Sequence, residues 1–386
     1  MKGTTISSTK VYYLVLLFLS VEYLGFGQFS VFRVFVFPLS VLGIMSLQDS
    51  PRISSPTRLL VPFISFMIWF SWARLYCNDN WINPLLLVFF SSFIILYNFT
   101  PHNKQIDYSY IFSFYSFPHI IAWITRTYNI DSGRFAGYHQ DPNFCALFLM
   151  IGLLGSLFVF VRSKHIGIRI LSFVNIVITT YLLLFSGSRG ALISIFLTLL
   201  FVFCTSEKIK PNVKVVVIVA LVYALILLFN YVMSLPNWVD PDEDRLGALL
   251  SRMKPDSLLE GASRSTVWAN VLYQLRNPIY WFLPLGRENA MSFTELEFTH
   301  NTYLDFLVET GVLVGLTVIV VFLINLAIDF ILYFKKRLTR LEKEAFCISL
   351  AVIIQLFTLS ALTQKVFWLF VLIILCLKPE RFRRAV

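Results

Sequence analysis

The chain alternates apolar runs with short polar turns, and one long polar stretch interrupts the alternation. The runs lie near 11–26, 29–46, 59–76, 81–98, 108–125, 143–161, 168–185, 190–205, 215–234, 312–334, 344–361 and 364–378. Wound as helices, most of these runs approach the length needed to cross the ~30 Å hydrocarbon layer of a bilayer. The pattern therefore predicts an all-α, polytopic membrane protein of about twelve transmembrane helices, one integral membrane domain over 1–386. Residues 235–311 form the exception, a large loop outside the bilayer with short amphipathic helices. Within it, Ser263-Arg264-Ser265-Thr266-Val267-Trp268 starts a helix that ends before Asn277-Pro278. Val267, Trp268, Val271, Leu272 and Leu275 give that helix one apolar face, which is expected to lie on the bilayer surface. At the end of the loop, Thr302 with Asp305 approximates a capping box, and Tyr303, Leu304, Leu307 and Val308 form an apolar stripe behind it.

Composition agrees with the pattern and excludes a soluble globular domain: 57% of residues are hydrophobic, 14% are charged and the mean hydropathy is +0.73. The net charge of +10 is explained by topology and not by a nucleic-acid partner. Alternating the spans gathers 1–10, 47–58, 99–107, 162–167, 206–214, 335–343 and the C-terminal tail on one side. With their flanks these segments hold most of the 32 Lys and Arg, including Lys335-Lys336-Arg337 and Arg381, Arg383 and Arg384. The positive-inside rule then puts both termini in the cytoplasm and the large loop outside. Lys2 and Lys10 ahead of the apolar run Val11 to Phe26 resemble a signal sequence, but no small-residue cleavage site follows, so this run is expected to be the first span. Cys77, Cys145, Cys204, Cys347 and Cys376 show no paired spacing, so no disulfide framework and no metal cluster is expected. Asp240, Asp242, Glu243 and Asp244 read as a solvated acidic loop, because a cation site needs further fixed oxygen ligands.

Polar residues collect on the outer side. Asp141-Pro142-Asn143 is a helix start, with Asp141 as N-cap and proline in the first turn. Arg134 shortly before it runs against the positive-inside trend. Ser186-Gly187-Ser188-Arg189-Gly190 is a tight hairpin that sets Arg189 at the positive end of a helix, where a cation makes sense opposite an anion. Arg264 occupies another first turn and suits either an anion or an ordinary surface position. His300 lies just outside the helix opened by Asn301 and Thr302, and imidazole is the side chain best matched to proton transfer near neutral pH. Arg33 and Arg74, inside spans, and Glu309 are further candidates. His119 and His139 read as structural.

Four helix starts thus face one way, and arginines accompany three of them. Arginine forks and helix N-termini suit a phosphate or diphosphate. Held at the outer face of a membrane, that anion is expected to be a lipid-linked diphosphate. As a leaving group it needs charge stabilisation more than protonation, and the attacking sugar hydroxyl needs a base.

In their order, Arg134-x-x-Gly137 with Asp141-Pro142-Asn143, Ser186-Gly187-Ser188-Arg189-Gly190, Arg264 to Trp268, and His300-Asn301 with Gly311 resemble the O-antigen ligase/polymerase superfamily. The motifs cover about 110–320. The resemblance implies a metal-independent, cofactor-free glycosyltransferase of the membrane-embedded class, working at the periplasmic face of a bacterial inner membrane. It implies undecaprenyl-diphosphate-linked glycans as donor and acceptor, with a chain-length regulator as a further partner. His300 would be the base; Arg134, Asp141, Asn143, Arg189, Arg264 and Asn301 would bind substrate, with Arg189 and Arg264 on the diphosphate. The Asp141-Pro142-Asn143 stretch looks more like a polymerase of O-antigen or related surface polysaccharide than a ligase that moves finished glycan to lipid A–core. The competing class, a flippase or transporter of lipid-linked sugars, predicts polar groups or broken helices at the bilayer midplane, whereas here they crowd one face.

Overall fold

The structure, a computed structural model, describes residues 107–131, 133–234, 262–292 and 299–361, with 17, 25–26, 29–30, 68–70, 72–73 and 76–77 nearer the N-terminus. The described residues are mostly helical. The first four predicted spans and the last fall wholly or mainly outside them, as do Arg33, Arg74 and the Asp240–Asp244 cluster.

Two short antiparallel ladders depart from the all-α expectation. Strand β1 (Gly25–Phe26) pairs with β2 (Phe29–Ser30), where the first two predicted spans meet. Strand β3 (Asn129–Asp131) pairs with β4 (Arg134–Gly137), with an irregularity in register between Asn129 and Ile130. Four residues are too few to show the period-two alternation that marks a strand, so the second hairpin was not legible. It exists because Gly133 and Gly137 supply positive φ at its turn and its end, and because Phe135 and Ala136 are fully buried.

Elsewhere most of the long helices follow the apolar pattern, but the predicted span 344–361 is helical over Arg340–Gln355 and then leaves the helix. The predicted span 108–125 is present with those bounds, but in three pieces: α1 (Tyr108–Phe112), a 3-10 turn (Ser113–Ser116) and α2 (Phe117–Thr125). Pro118 in the first turn of α2 has no N–H for the carbonyl four residues back, which favours a break there. Next come α3 (Pro142–Arg162), α4 (Ile166–Ser186), α5 (Arg189–Thr205) and α6 (Pro211–Ser234). The loop contributes α7 (Ala262–Gln274), α8 (Ile279–Phe282), α9 (Arg287–Met291) and α10 (Thr302–Thr310). Helices α11 (Val312–Phe334) and α12 (Arg340–Gln355), with a 3-10 turn at Leu356–Thr358, complete the described chain.

Among the described residues, α3, α4 and α11 are long and apolar enough to cross a membrane, with mean hydropathies of 2.6, 2.0 and 2.6. Helix α3 lies at the centre, mostly buried among α1, α4, α5 and α12. Helices α4 and α11 instead present exposed apolar stripes, Ile170, Phe173, Val177 and Tyr181 on one and Leu313, Leu316, Val320 and Leu323 on the other. Stripes of that length are unfavourable in water and natural against lipid.

Small residues and one amide bind the centre together. A Cβ on Gly152 would come within 2.6 Å of the Ser116 backbone nitrogen, and one on Gly155 within 2.6 Å of the Ser113 nitrogen, so both glycines admit the 3-10 turn against α3. Asn175 of α4 donates to the Ser113 carbonyl (2.9 Å) and the Ser156 hydroxyl (2.6 Å). Its Oδ1 accepts from Ser116 (2.9 Å) and Thr179 (3.1 Å), which uses all four hydrogen-bonding positions of the amide. Close backbones joined by small residues and polar side chains are the usual cement of helices in lipid, where apolar surface alone gives little reason to associate.

The two ends of the bundle differ. At one, Arg162 pairs with Glu344 (2.9 Å) and with Asp107, the N-cap of α1, and Arg340 pairs with Glu344 (3.2 Å). Lys336 pairs with Glu207 at 2.8 Å. These contacts join segments that alternation of the spans assigns to one side. The opposite end carries the candidate site.

Candidate functional site

The starts of α3, α5 and α10 meet around one segment, Gln355 to Ala361, at the end of α12. Gln355 donates to the backbone carbonyl of Asn143 at 3.3 Å, tying α12 to the start of α3. Gly190 at the start of α5 packs on Thr358 so closely that a Cβ there would lie 2.0 Å from the threonine Oγ1. The Thr302 hydroxyl, in the first turn of α10, donates to the Leu359 carbonyl and accepts from the Ala361 N–H (2.9 Å). One short segment therefore spaces three positive helix ends.

Arg134 ties β4 into the same cluster. Its Nε donates to the Ser186 carbonyl (2.7 Å), at the end of α4 and three residues before Arg189. Its Nη2 donates to Asn143 Oδ1 (3.2 Å). Asp141 is the N-cap of α3 as the sequence predicts: its Oδ1 accepts from the Asn143 N–H (2.7 Å) and side-chain amide (2.9 Å). Arg134, Asp141 and Asn143 are thus one hydrogen-bonded chain. Arg189 is the first residue of α5 and half-buried, after Ser188 at the N-cap.

His300 lies where the chain turns into α10. Its φ is +53, a left-handed conformation that costs a non-glycine residue roughly 1–2 kcal/mol. The residues on either side hold it there. The Trp268 indole donates to the Thr299 carbonyl (2.8 Å), which brings α7 beside the turn. The Thr299 hydroxyl contacts the Asn301 carbonyl (3.0 Å), accepts from the Asn301 N–H (3.1 Å) and donates to Asp305. Asn301, extended, caps α10 by accepting from the Tyr303 and Leu304 N–H groups at 3.0 and 3.2 Å. The cap is therefore Asn301 and not the Thr302–Asp305 box expected from sequence. Thr302 spends its hydroxyl on the segment after α12, and Asp305 turns to Thr299. Asn301 acts first on the helix and through it on His300.

Electrostatics link His300 to two other predicted residues. Its pKa is lowered, first by burial and then by the Arg264 guanidinium, while the Asp141 carboxylate opposes the shift. Arg264 and Asp141 both therefore lie within electrostatic reach of the imidazole. A lowered pKa keeps the ring neutral at pH 7 and able to accept a proton.

Helix α7 corrects one expectation. Val267, Val271 and Leu275 do not face a bilayer but pack with Leu285, Ala290, Met291, Leu304 and Val308 from α9, α10 and the turn before α9. Leu272 is exposed on another face. Burial in this shared cluster, with the Trp268–Thr299 hydrogen bond, holds the start of α7 beside the turn that carries His300.

Glu309 is buried on α10. It lies seven residues beyond Thr302, roughly 10 Å along α10 at 1.5 Å per residue. There it is coupled to Asp305, whose pKa is pushed up to about 7 by burial and by Glu309. The hydroxyls of Thr299 and Ser360 and the charge of Arg287 act in the opposite direction. Sequence spacing does not point to Asp305, Arg287 or the Gln355–Ala361 segment as part of the site. The available signal was Gln355, Thr358 and Ser360 recurring inside an otherwise apolar run. His139 is buried against the rings of His119 (5.4 Å) and Phe148 (5.1 Å), and burial lowers its pKa to about 3, in keeping with a structural role.

No family model, curated protein or solved structure matches the chain.

Proposed function

We propose that the protein polymerises undecaprenyl-diphosphate-linked oligosaccharide units into O-antigen or a related surface polysaccharide at the periplasmic face of a bacterial inner membrane. The observation that carries this proposal is His300, held left-handed at the start of α10, with Arg264 and Asp141 in electrostatic reach at one end of an apolar bundle. In the proposed step, the neutral imidazole of His300 accepts the proton of a sugar hydroxyl on the acceptor. The hydroxyl oxygen forms a bond to the anomeric carbon of the donor glycan. The bond from that carbon to the diphosphate oxygen breaks, and the electron pair leaves with the lipid diphosphate. Arg264 and Arg189, each in the first turn of a helix, are assigned to the growing negative charge. Arg134 is assigned to holding Asn143 and the α4–α5 turn, since its guanidinium bonds both.

The test is the glycan profile of a deletion strain and of that strain complemented with variants. Loss of polymerisation leaves lipid A–core bearing single units. Bare core with accumulating lipid-linked polymer would replace the proposal with a ligase, and failure to deliver units to the outer face would replace it with a flippase. His300→Ala should reproduce the deletion phenotype at normal protein level in the membrane. Wild-type polymer from that variant removes His300 from the chemistry.

A further inference from the structure

Helices α7 and α8 carry an outward apolar surface that neither the core nor the proposed reaction uses. While α7 spends Val267, Val271 and Leu275 on its neighbours, Leu272 and Tyr273 point away, Tyr273 being 69% exposed. The chain continues into α8, where Ile279, Trp281 and Phe282 are also exposed, Phe282 at 64%. Five large apolar or aromatic side chains within eleven residues are exposed together along α7 and α8, an arrangement water disfavours.

The position of the patch says what covers it. Helix α8 packs against the start of α11. The carbonyls of Phe282 and Leu283 lie so close to Gly311 that a Cβ there would meet both at 3.2 Å, and Gly311 adopts φ +84. From that contact α11 runs on with its outward stripe Leu313, Leu316 and Val320. The exposed residues of α8 therefore sit at the beginning of a helix that is apolar enough to cross a membrane and carries its own exposed stripe. Its chemistry suits the boundary layer: a tryptophan, a tyrosine, and Arg276 with its guanidinium 5.7 Å from the Tyr273 ring centre. Amphipathic aromatics and a long basic side chain are favoured where acyl chains give way to headgroups.

We infer that the outer faces of α7 and α8 are seated in the headgroup layer of the bilayer, with lipid as the occupant. The inference stands independently of glycosyl transfer. It means that α7 has two functions on two faces: one sets Arg264 beside His300, and the other fixes the height of that pair above the membrane.

The test uses the full-length protein in lipid nanodiscs. An environment-sensitive fluorescent amino acid is placed at Phe282, and in a separate protein at Glu288, which is exposed on α9. The fluorophore at 282 should be quenched by lipids carrying a nitroxide near the glycerol level and should lose the aqueous iodide quenching seen at 288. Equal iodide quenching at both positions would place the patch in water. Protection at 282 from both quenchers would place it under protein. Either outcome overturns the inference. A second measurement avoids altering Phe282: in nanodiscs of lipid brominated high on the acyl chain, Trp281→Phe should remove part of the lipid-quenched tryptophan emission. An unchanged quenched fraction overturns the inference as well.

Discussion

Asp305 offers the sharpest quantitative test, because burial and Glu309 together raise its pKa from 3.8 to about 7 in the folded protein. A carboxyl raised in this way favours the folded state while protonated. Its stabilising contribution is complete below about pH 3.8 and is lost as pH rises through 7. At 1.36 kcal/mol per pKa unit, the shift corresponds to at most about 4 kcal/mol between those limits. Asp305→Asn removes the titration and keeps an oxygen to accept from Thr299, so the variant should resist this loss. Apparent melting temperatures of detergent-solubilised wild type and variant, measured from pH 5 to 8.5, test it. The wild-type curve should fall with pH while the variant stays flat, and the gap should be widest above pH 7. Parallel curves, or a variant less stable than wild type at pH 8, would mean that Asp305 is charged and satisfied in the fold, and the assigned surroundings would be wrong. Activity supplies an independent measure. Since Thr299 joins Asp305 to the turn that carries His300, Thr299→Val should lower turnover with little change in substrate affinity, and Thr299→Ser should restore it.

Other expectations follow from the same geometry. If His300 acts as the neutral base, Arg264→Gln removes a charge that lowers its pKa, and the acid limb of the pH–rate profile moves to higher pH; Asp141→Asn, which keeps an N-cap, moves it lower. An acid limb unmoved by both substitutions would exclude His300 as the titrating group. Arg189→Lys should impair transfer without lowering membrane levels, because an ammonium lacks the planar fork that grips a diphosphate; product yield at matched expression decides it. Gly190→Val should cost about 1–3 kcal/mol by forcing α5 off Thr358, and Thr358→Ala should recover part of that loss in a double-mutant cycle on apparent stability. Asn175→Leu breaks four hydrogen bonds and, at about 0.6 kcal/mol each within a bilayer, should destabilise the bundle by roughly 2–3 kcal/mol, read from the melting temperature.

The apolar pattern by itself placed several of the described helices, while α6 begins four residues before its predicted start and α12 covers Arg340–Gln355 in place of 344–361. Predicted and observed bounds for α3, α4, α5 and α11 agree within two residues, since a run long enough to cross hydrocarbon has helix as its simplest backbone solution. Local rules also identified Asp141 as a cap and Arg189 as a first-turn residue, because both depend on neighbours a few positions away. Tertiary structure decided everything that depends on distant partners. The period of α7 showed that it has an apolar face, but only packing revealed that the face meets α10 and that other residues point outward. Thr302 looked like a cap until Leu359 and Ala361, far along the chain, took its hydroxyl. The left-handed turn at His300 is held beside Trp268 of α7, and the raised carboxyl of Asp305 arises first from burial by the fold, with Glu309 four residues along the same helix adding to it. A hydrogen bond or a buried charge has no signature in sequence spacing when its partner lies on another helix, so the line of amino acids names the candidate groups while the fold alone sets their environment.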